Sequence, residues 1–276
     1  MAWALGITLL FMVVEAAGGF LSHSLALLAD AAHMLTDAGA LALALFAAWI
    51  VRQPAGSTRT YGWFRAEILA ALANGALLLA VTAGILWEAV QRLLRPEPIQ
   101  PGTMFVVATL GFGANVVAAA ILHRSRGENL NVRGAYLHVL SDLAGSVAAM
   151  LAAAIIHYTG WLAADPLLSI ALSALLIVSA WGLVRQAVDV LMEAAPGHVD
   201  LGALEAAVAD VPGVERVHDV HVWTVSSGFV AMSAHAVVPD PARAQGALDE
   251  ITKRVRAFGI GHVTVQVEQS DECESC

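Results

Sequence analysis

Charge is scarce in this chain, and sulfur is scarcer. Of its 276 residues only 13% are charged while 58% are hydrophobic; a soluble domain carries about 25% charged residues. That shortfall excludes an ordinary soluble protein and leaves an integral membrane protein. The two cysteines, Cys273 and Cys276, both fall in the last four residues, so no disulfide framework staples the fold. Basic residues are outnumbered 14 to 23, for a net charge of −9, which removes nucleic acid from the candidate partners. The metalloprotease signature HExxH is missing as well, which counts against an intramembrane metallohydrolase.

What is present is a series of long apolar runs. A membrane-crossing helix needs about 20 such residues, and six stretches qualify: 2–21, 24–51, 66–91, 103–122, 134–158 and 165–186. Turn and charge signals separate them, among them Gly18-Gly19, Arg52-Gln53-Pro54, Arg95-Pro96-Glu97-Pro98, Arg124-Ser125-Arg126-Gly127 and Asp165-Pro166. The first run opens almost at Met1 without a basic flank and reads as a retained span rather than a cleaved leader. Seven arginines (52, 59, 65, 124, 126, 133, 185) flank one side against Arg92 and Arg95 on the other. Positive charge stays in the cytoplasm, so both termini are expected there, in a cytoplasmic membrane.

The second run carries the chemistry. Asp30, His33 and Asp37 sit among alanines and leucines at spacings of three and four, which stack them on one helix face. Each ionisable group at the centre of a span costs about 2.5–3.5 kcal/mol on the insertion scale. A second copy follows about a hundred residues later: His138-Val-Leu-Ser-Asp142 repeats His33-Met-Leu-Thr-Asp37 as H-x-L-[ST]-D. One polar residue in a span is often a helix-packing hydrogen bond, whereas a repeated five-residue motif asks for a ligand. The two pairs supply two imidazoles and two carboxylates, the donor set of a tetrahedral zinc site. Thiolates for copper(I) are lacking, and an all-oxygen site for magnesium or manganese is not offered. Zinc is favoured, with cadmium, cobalt, nickel and ferrous iron tolerated to a degree the residues do not set. Ligand histidines bind metal only when neutral, so metal arrival expels protons. Zinc export in exchange for protons is therefore the leading expectation. The rivals are a membrane-bound metal sensor that binds without transporting, and a proton-coupled carrier of organic cations. The second and fifth spans run antiparallel, as in an inverted repeat around a midplane site.

From Pro196 onward the balance turns acidic, 12 against 5 basic, dividing the chain into a six-span helical bundle at 1–195 and a cytoplasmic module at 196–276. The module alternates: a helix over Leu201–Val211, strands over Val214–Val225 and Phe229–Val238, a helix over Pro241–Phe258 and a strand over His262–Glu268. That order suggests a small α+β, ferredoxin-like domain.

These residues resemble the cation diffusion facilitator family, on its zinc-transporting side. The likeness rests on SLALLADAAHMLTD (24–37), TYGWFRAEILAALANG (60–75), WEAVQRLLRPEPI (87–99), NVRGAYLHVLSDLAGS (131–146), ADPLLSIALSALLI (164–177), VHDVHVWTVSSG (217–228) and the distal HVTVQVE. It covers essentially the whole chain. The resemblance implies a homodimer of six-span subunits in the lipid bilayer, with metallochaperone-like cytoplasmic domains, exporting divalent metal against protons and not acting as an enzyme. It matches His33, Asp37, His138 and Asp142 to the transport-site positions, and a histidine at 33 to members preferring zinc over cadmium. Asp30 matches as well, as a supporting or proton-handling residue. His218, His235 and Glu268 fall where the family's cytoplasmic zinc ligands lie. His221, three residues past His218, would point to the opposite face of a regular strand, and His262 is a substitute ligand. Cys273-Glu-Ser-Cys276 is half of a structural zinc site. The loop between spans two and three lacks the histidines that many relatives carry there.

Overall fold

The computed structural model describes residues 2–50, 58, 60–125 and 130–270, with some helical side chains, including those of 121–125, 130–138 and 141, outside the described set. Each of the six apolar runs is helical: α1 Ala2–Ser22, α2 Leu25–Ile50, α3 Phe64–Leu94, α4 Pro101–Ser125, α5 Leu130–Thr159 and α6 Ala164–Leu191. Pro101 stands at the first position of α4, where its missing N–H costs nothing. Among the described residues four helical stretches are long and apolar enough to cross a membrane: Phe64–Leu94, Pro101–Ala120, Asp142–Thr159 and Ala164–Leu191. The chain is thus a multi-pass membrane protein with a small C-terminal domain.

By its internal contacts the chain divides into two compact units, residues 1–48 with 71–184, and residues 49–70 with 185–276. In the first unit the helices turn large apolar side chains outward and small ones inward. Leu10, Phe20, Trp87, Leu151, Val178 and Trp181 are exposed, as a surface solvated by lipid requires. Inside, Ala26 and Leu27 of α2 pack with Met104 and Ala108 of α4 and Ala149, Ala152 and Ala153 of α5. Leu25, Ala29 and Ala32 of the same α2 meet Leu78 and Ile85 of α3 and Leu176 and Ala180 of α6. Alanine faces let helices approach closely, which is what drives association where lipid is as apolar as leucine. The helix bearing Asp30, His33 and Asp37 is therefore enclosed by four others.

A buried carboxylate fixes where α2 begins. Asp165, in the first turn of α6, is fully buried and accepts from the Ser24 hydroxyl and from the backbone N–H groups of Leu25 (2.8 Å) and Ala26 (3.1 Å). Those are the orphan donors of a helix N-terminus, where negative charge is favoured.

In the second unit α7 Leu201–Ala209 starts at Asp200, whose side chain accepts from the Ala203 N–H at 3.1 Å. Strands β1 Arg216–Ser226, β2 Phe229–Val237 and β3 His262–Glu268 form one sheet, with a single 3₁₀ turn at Pro241–Arg243 and α8 Ala244–Arg256 between the last two. β2 is central, antiparallel to β1 and parallel to β3. The β1–β2 turn needs a left-handed residue, and Gly228 supplies it at φ +78°. Val230, Met232, Ala234 and Ala236 face the helices and pack with Leu204, Val208, Ile251 and Val255. On exposed α8 the Arg254 guanidinium, helped by Lys253, holds the Glu250 carboxyl below the usual carboxylate range.

Replacing Asp165 by alanine strands the Leu25 and Ala26 N–H groups and the Ser24 hydroxyl in an apolar interior. Each orphaned buried group costs roughly 1–3 kcal/mol. Thermal unfolding of the detergent-solubilised protein should show a clear loss for Asp165→Ala and a smaller one for Ser24→Ala, which removes one donor to Asp165 and the acceptor of the Leu27 N–H.

Candidate metal centres

The structure brings His33 and Asp142 together. They come from α2 and α5, and His33 Nε2 stands 3.4 Å from Asp142 Oδ1. Both side chains remain partly accessible, at 32% and 20%, because they open onto a cavity of about 260 Å³. Ala29, Asp30, Gly145, Ser179 and three leucines of α6 complete its lining. A small, mostly apolar chamber holding an imidazole and two carboxylates inside a helix cluster could receive a partly dehydrated cation. Asp37 is half-buried one turn further along α2 and is not part of this lining. His138 lies on α5 one turn before Asp142, and its side chain is outside the described residues.

A second cluster lies on the face of the sheet that the helices leave uncovered. His218 and His235 are directly opposite in the β1–β2 register, and Glu268, opposite Val237 at the end of β3, falls on the same face. Glu268 reaches both rings: Oε2 is 3.2 Å from His218 Nε2, and Oε1 is 2.6 Å from His235 Nδ1. The imidazole centroids are 5.2 Å apart. One ligand atom from each of the three lies within 4.8 Å of the other two, close enough to share one ion. Two nitrogens and a carboxylate fit zinc with one position left over.

The strand geometry corrects the reading of His221. Between His218↔His235 and His221↔Ser233 the register slips: Asp219 and Val220 together oppose Ala234. This is a β-bulge, and Asp219 carries its positive φ of 52°. The extra residue restores the parity that a three-residue step would break, so His221 stands on the same face as His218. Asp219, which sequence reasoning passed over, uses one carboxylate oxygen on His221 Nε2 (2.7 Å) and turns the other toward His235 Nε2 (3.7 Å). An acid two residues before a histidine in a strand was the available signal, since period two puts both on one face. His262 sits at the other end of β3 against the rings of Tyr61 and Phe229, with centroids 6.0 Å from each, away from the cluster. Cys273 and Cys276 are outside the described residues.

With both centres placed, comparison with known proteins gives a consistent picture. Residues 1–192 match the model for the cation efflux transmembrane domain, and residues 196–270 that for the cytoplasmic domain of cation efflux proteins. The chain is 45% identical to the zinc transporter ZitB of Escherichia coli over 96% of its own length and 86% of the relative's. It is 40% identical to a cadmium, cobalt and zinc/H(+)-K(+) antiporter of Bacillus subtilis, covering 94% of this chain and 85% of that one. Against the metal cation efflux system protein CzcD of Cupriavidus metallidurans it is 41% identical, with 96% and 84% covered.

The sheet cluster makes a measurable demand on the full-length protein in detergent. Glu268→Gln or His218→Ala should remove one bound zinc in equilibrium dialysis. Asp219→Asn, which loosens the hold on His235 and His221 and spares the three facing donors, should weaken that zinc about 10-fold.

Proposed function

The chain belongs to the cation efflux family, and from that premise we propose that it exports zinc from the cytoplasm in exchange for protons, through a buried seat made by His33, Asp37, His138 and Asp142. The observation that carries this reading is the meeting of His33 and Asp142 from two distant helices at the wall of an intramembrane cavity. Metal identity follows from the donors. Two imidazoles and two carboxylates suit zinc and do not exclude cadmium or cobalt, the metals in the relatives' names.

Each residue then has a defined task. Asp37 and Asp142 supply negative charge, so that a divalent ion crosses the low-dielectric layer nearly neutralised. His33 and His138 supply nitrogen donors that must be unprotonated to bind, so the ion and protons compete for the same lone pairs. Because α2 and α5 are three crossings apart in a six-span bundle, they run antiparallel and present each histidine near the level of the other's aspartate. Rocking of one helix group against the other around this point would expose the seat to each side in turn. The surrounding architecture in this reading is a homodimer in the cytoplasmic membrane, with both termini in the cytoplasm and residues 196–276 forming a ferredoxin-like, metallochaperone-like domain.

The tail cluster fits a sensing role. Zinc held by His218, His235 and Glu268 neutralises part of an acidic surface, and with Cys273 and Cys276 it offers further donors that draw two tails together. Cytoplasmic zinc would thereby bias the transport cycle, a coupling that has to be reciprocal to count as allosteric.

Zinc uptake into inside-out vesicles separates transport from mere binding. Wild type should accumulate zinc with counter-movement of protons, whereas His138→Ala and Asp142→Ala should each lose at least about 10-fold in rate, as the loss of one ligand implies. Zinc bound at the tail with no flux in wild type would instead mark a sensor.

A further inference from the structure

One buried acid has no place in the four-residue seat. Glu15, in the middle of α1, is only 3% exposed, and its Oε2 has no hydrogen-bond partner. Its carboxyl lies within hydrogen-bonding reach of that of Asp30 on α2. Across the gap, α4 has made room for it: a Cβ on Gly111 would stand 2.6 Å from Glu15 Oε1. The same point is 3.6 Å from Ser146 Oγ of α5, a hydroxyl that is 1% exposed and also without a partner. Four helices thus converge on one carboxyl, whose Oε2 has no partner, and one unpartnered hydroxyl, at a position where α4 carries no side chain. Ser146 follows Asp142 by four residues, which places it one turn along the same face of α5. The pocket stands next to the metal seat without being part of it.

The titratable groups facing Glu15 are Asp30 from α2 and Asp142 from α5; α4 offers it Gly111, and beyond Asp30 stand His33 and Asp37. A carboxyl walled into an apolar layer is costly to ionise unless a cation stands nearby. When a divalent ion arrives beside Asp142, its charge stabilises an additional carboxylate and the proton is free to leave. A serine hydroxyl both donates and accepts, and Ser146 offers one near the same gap at Gly111.

We infer that Glu15 carries a counter-transported proton in a compartment of its own, separate from the ligands that hold the metal. The Glu15 carboxyl gives up one proton to the cavity as the ion enters and becomes a carboxylate. After the ion departs it takes one proton from the opposite side and is neutral again. Charge and atoms balance with no other reactant. This rests on the proton-antiport reading and assigns part of the proton traffic to a residue that does not touch the ion.

The test uses the intact protein in liposomes with a pH-sensitive dye inside, run beside equilibrium zinc binding in detergent. Glu15→Gln keeps the shape and the contact with Asp30 while removing the exchangeable proton. Zinc affinity should stay within about threefold of wild type, while protons released per zinc fall by about one and the pH dependence of transport flattens. Glu15→Ala is the second variant, since it removes the exchangeable proton without leaving a polar group to bury. It should reproduce the loss of proton release with normal zinc binding, and it decides the matter if Glu15→Gln does not fold. Unchanged proton release and an unchanged pH profile in a folded variant overturn the inference. Loss of zinc binding in Glu15→Gln overturns it too, because Glu15 would then belong to the metal seat. A wild-type protein that moves zinc with no proton movement overturns the antiport reading itself, and this inference with it.

Discussion

A carboxylate in an apolar layer must find a partner, and most of the first unit follows from how its acids do so. Asp165 meets its need with the N-terminus of α2, using the Ser24 hydroxyl and two backbone N–H groups. Asp142 meets it with His33 from another helix. These are different solutions with different consequences. The first is complete and needs no visitor, so it works as a bolt. The second brings an imidazole and a carboxylate to a cavity wall, where, under the proposed function, a divalent cation would join them. The same cost of about 2.5–3.5 kcal/mol per buried ionisable group would then produce a fixed joint in one place and an exchangeable seat in another.

The bolt and the seat are on the same helix, which matters for geometry. Asp165 fixes the start of α2, and His33 lies about two and a half turns further on. Ala26, Ala29 and Ala32 are almost fully buried against four neighbouring helices. Small side chains leave little for the helix to roll or slide over, and rotation about its axis would carry His33 away from Asp142. The alanine-rich composition, which looks featureless as sequence, is what permits a polar face to be held in hydrocarbon at fixed height and azimuth.

How much of this could be read beforehand depended on whether a feature is periodic. Helical runs and the H-x-L-[ST]-D repeat are, so the helices were legible from spacing, and the His33–Asp142 meeting from the repeat combined with the antiparallel run of the second and fifth spans. The three strands and two helices of the tail were also legible, because β2 alternates cleanly between Val230, Met232, Ala234 and Ala236 and the residues between them. What escaped were events that break a period or join remote positions. The bulge at Asp219 adds one residue to β1 and moves His221 to the opposite face from the one strict alternation gives it. The Asp165 bolt spans some 140 positions in sequence, and an Asp-Pro pair between two spans reads locally as a turn. By sequence Glu15 is a single acid in the first span; the packing of α1 on α4 shows that Gly111 leaves space for it.

Under the proposed function the two candidate centres would use one chemistry for opposite ends, and their surroundings differ to match. On the sheet, Glu268 already bridges both histidines, and His218 and Glu268 are almost fully buried. Donors pre-positioned on hydrogen-bonded strands lose little on binding, which favours retention. In the helix cluster the described donors come from two separate helices, α2 and α5, that meet through their side chains. Under the proposed function, a ligand sphere divided between two helices is one that a rocking step would take apart, as release across a membrane would require. Rigid strands would suit a site that reports on zinc, and donors on separate helices one that passes it on.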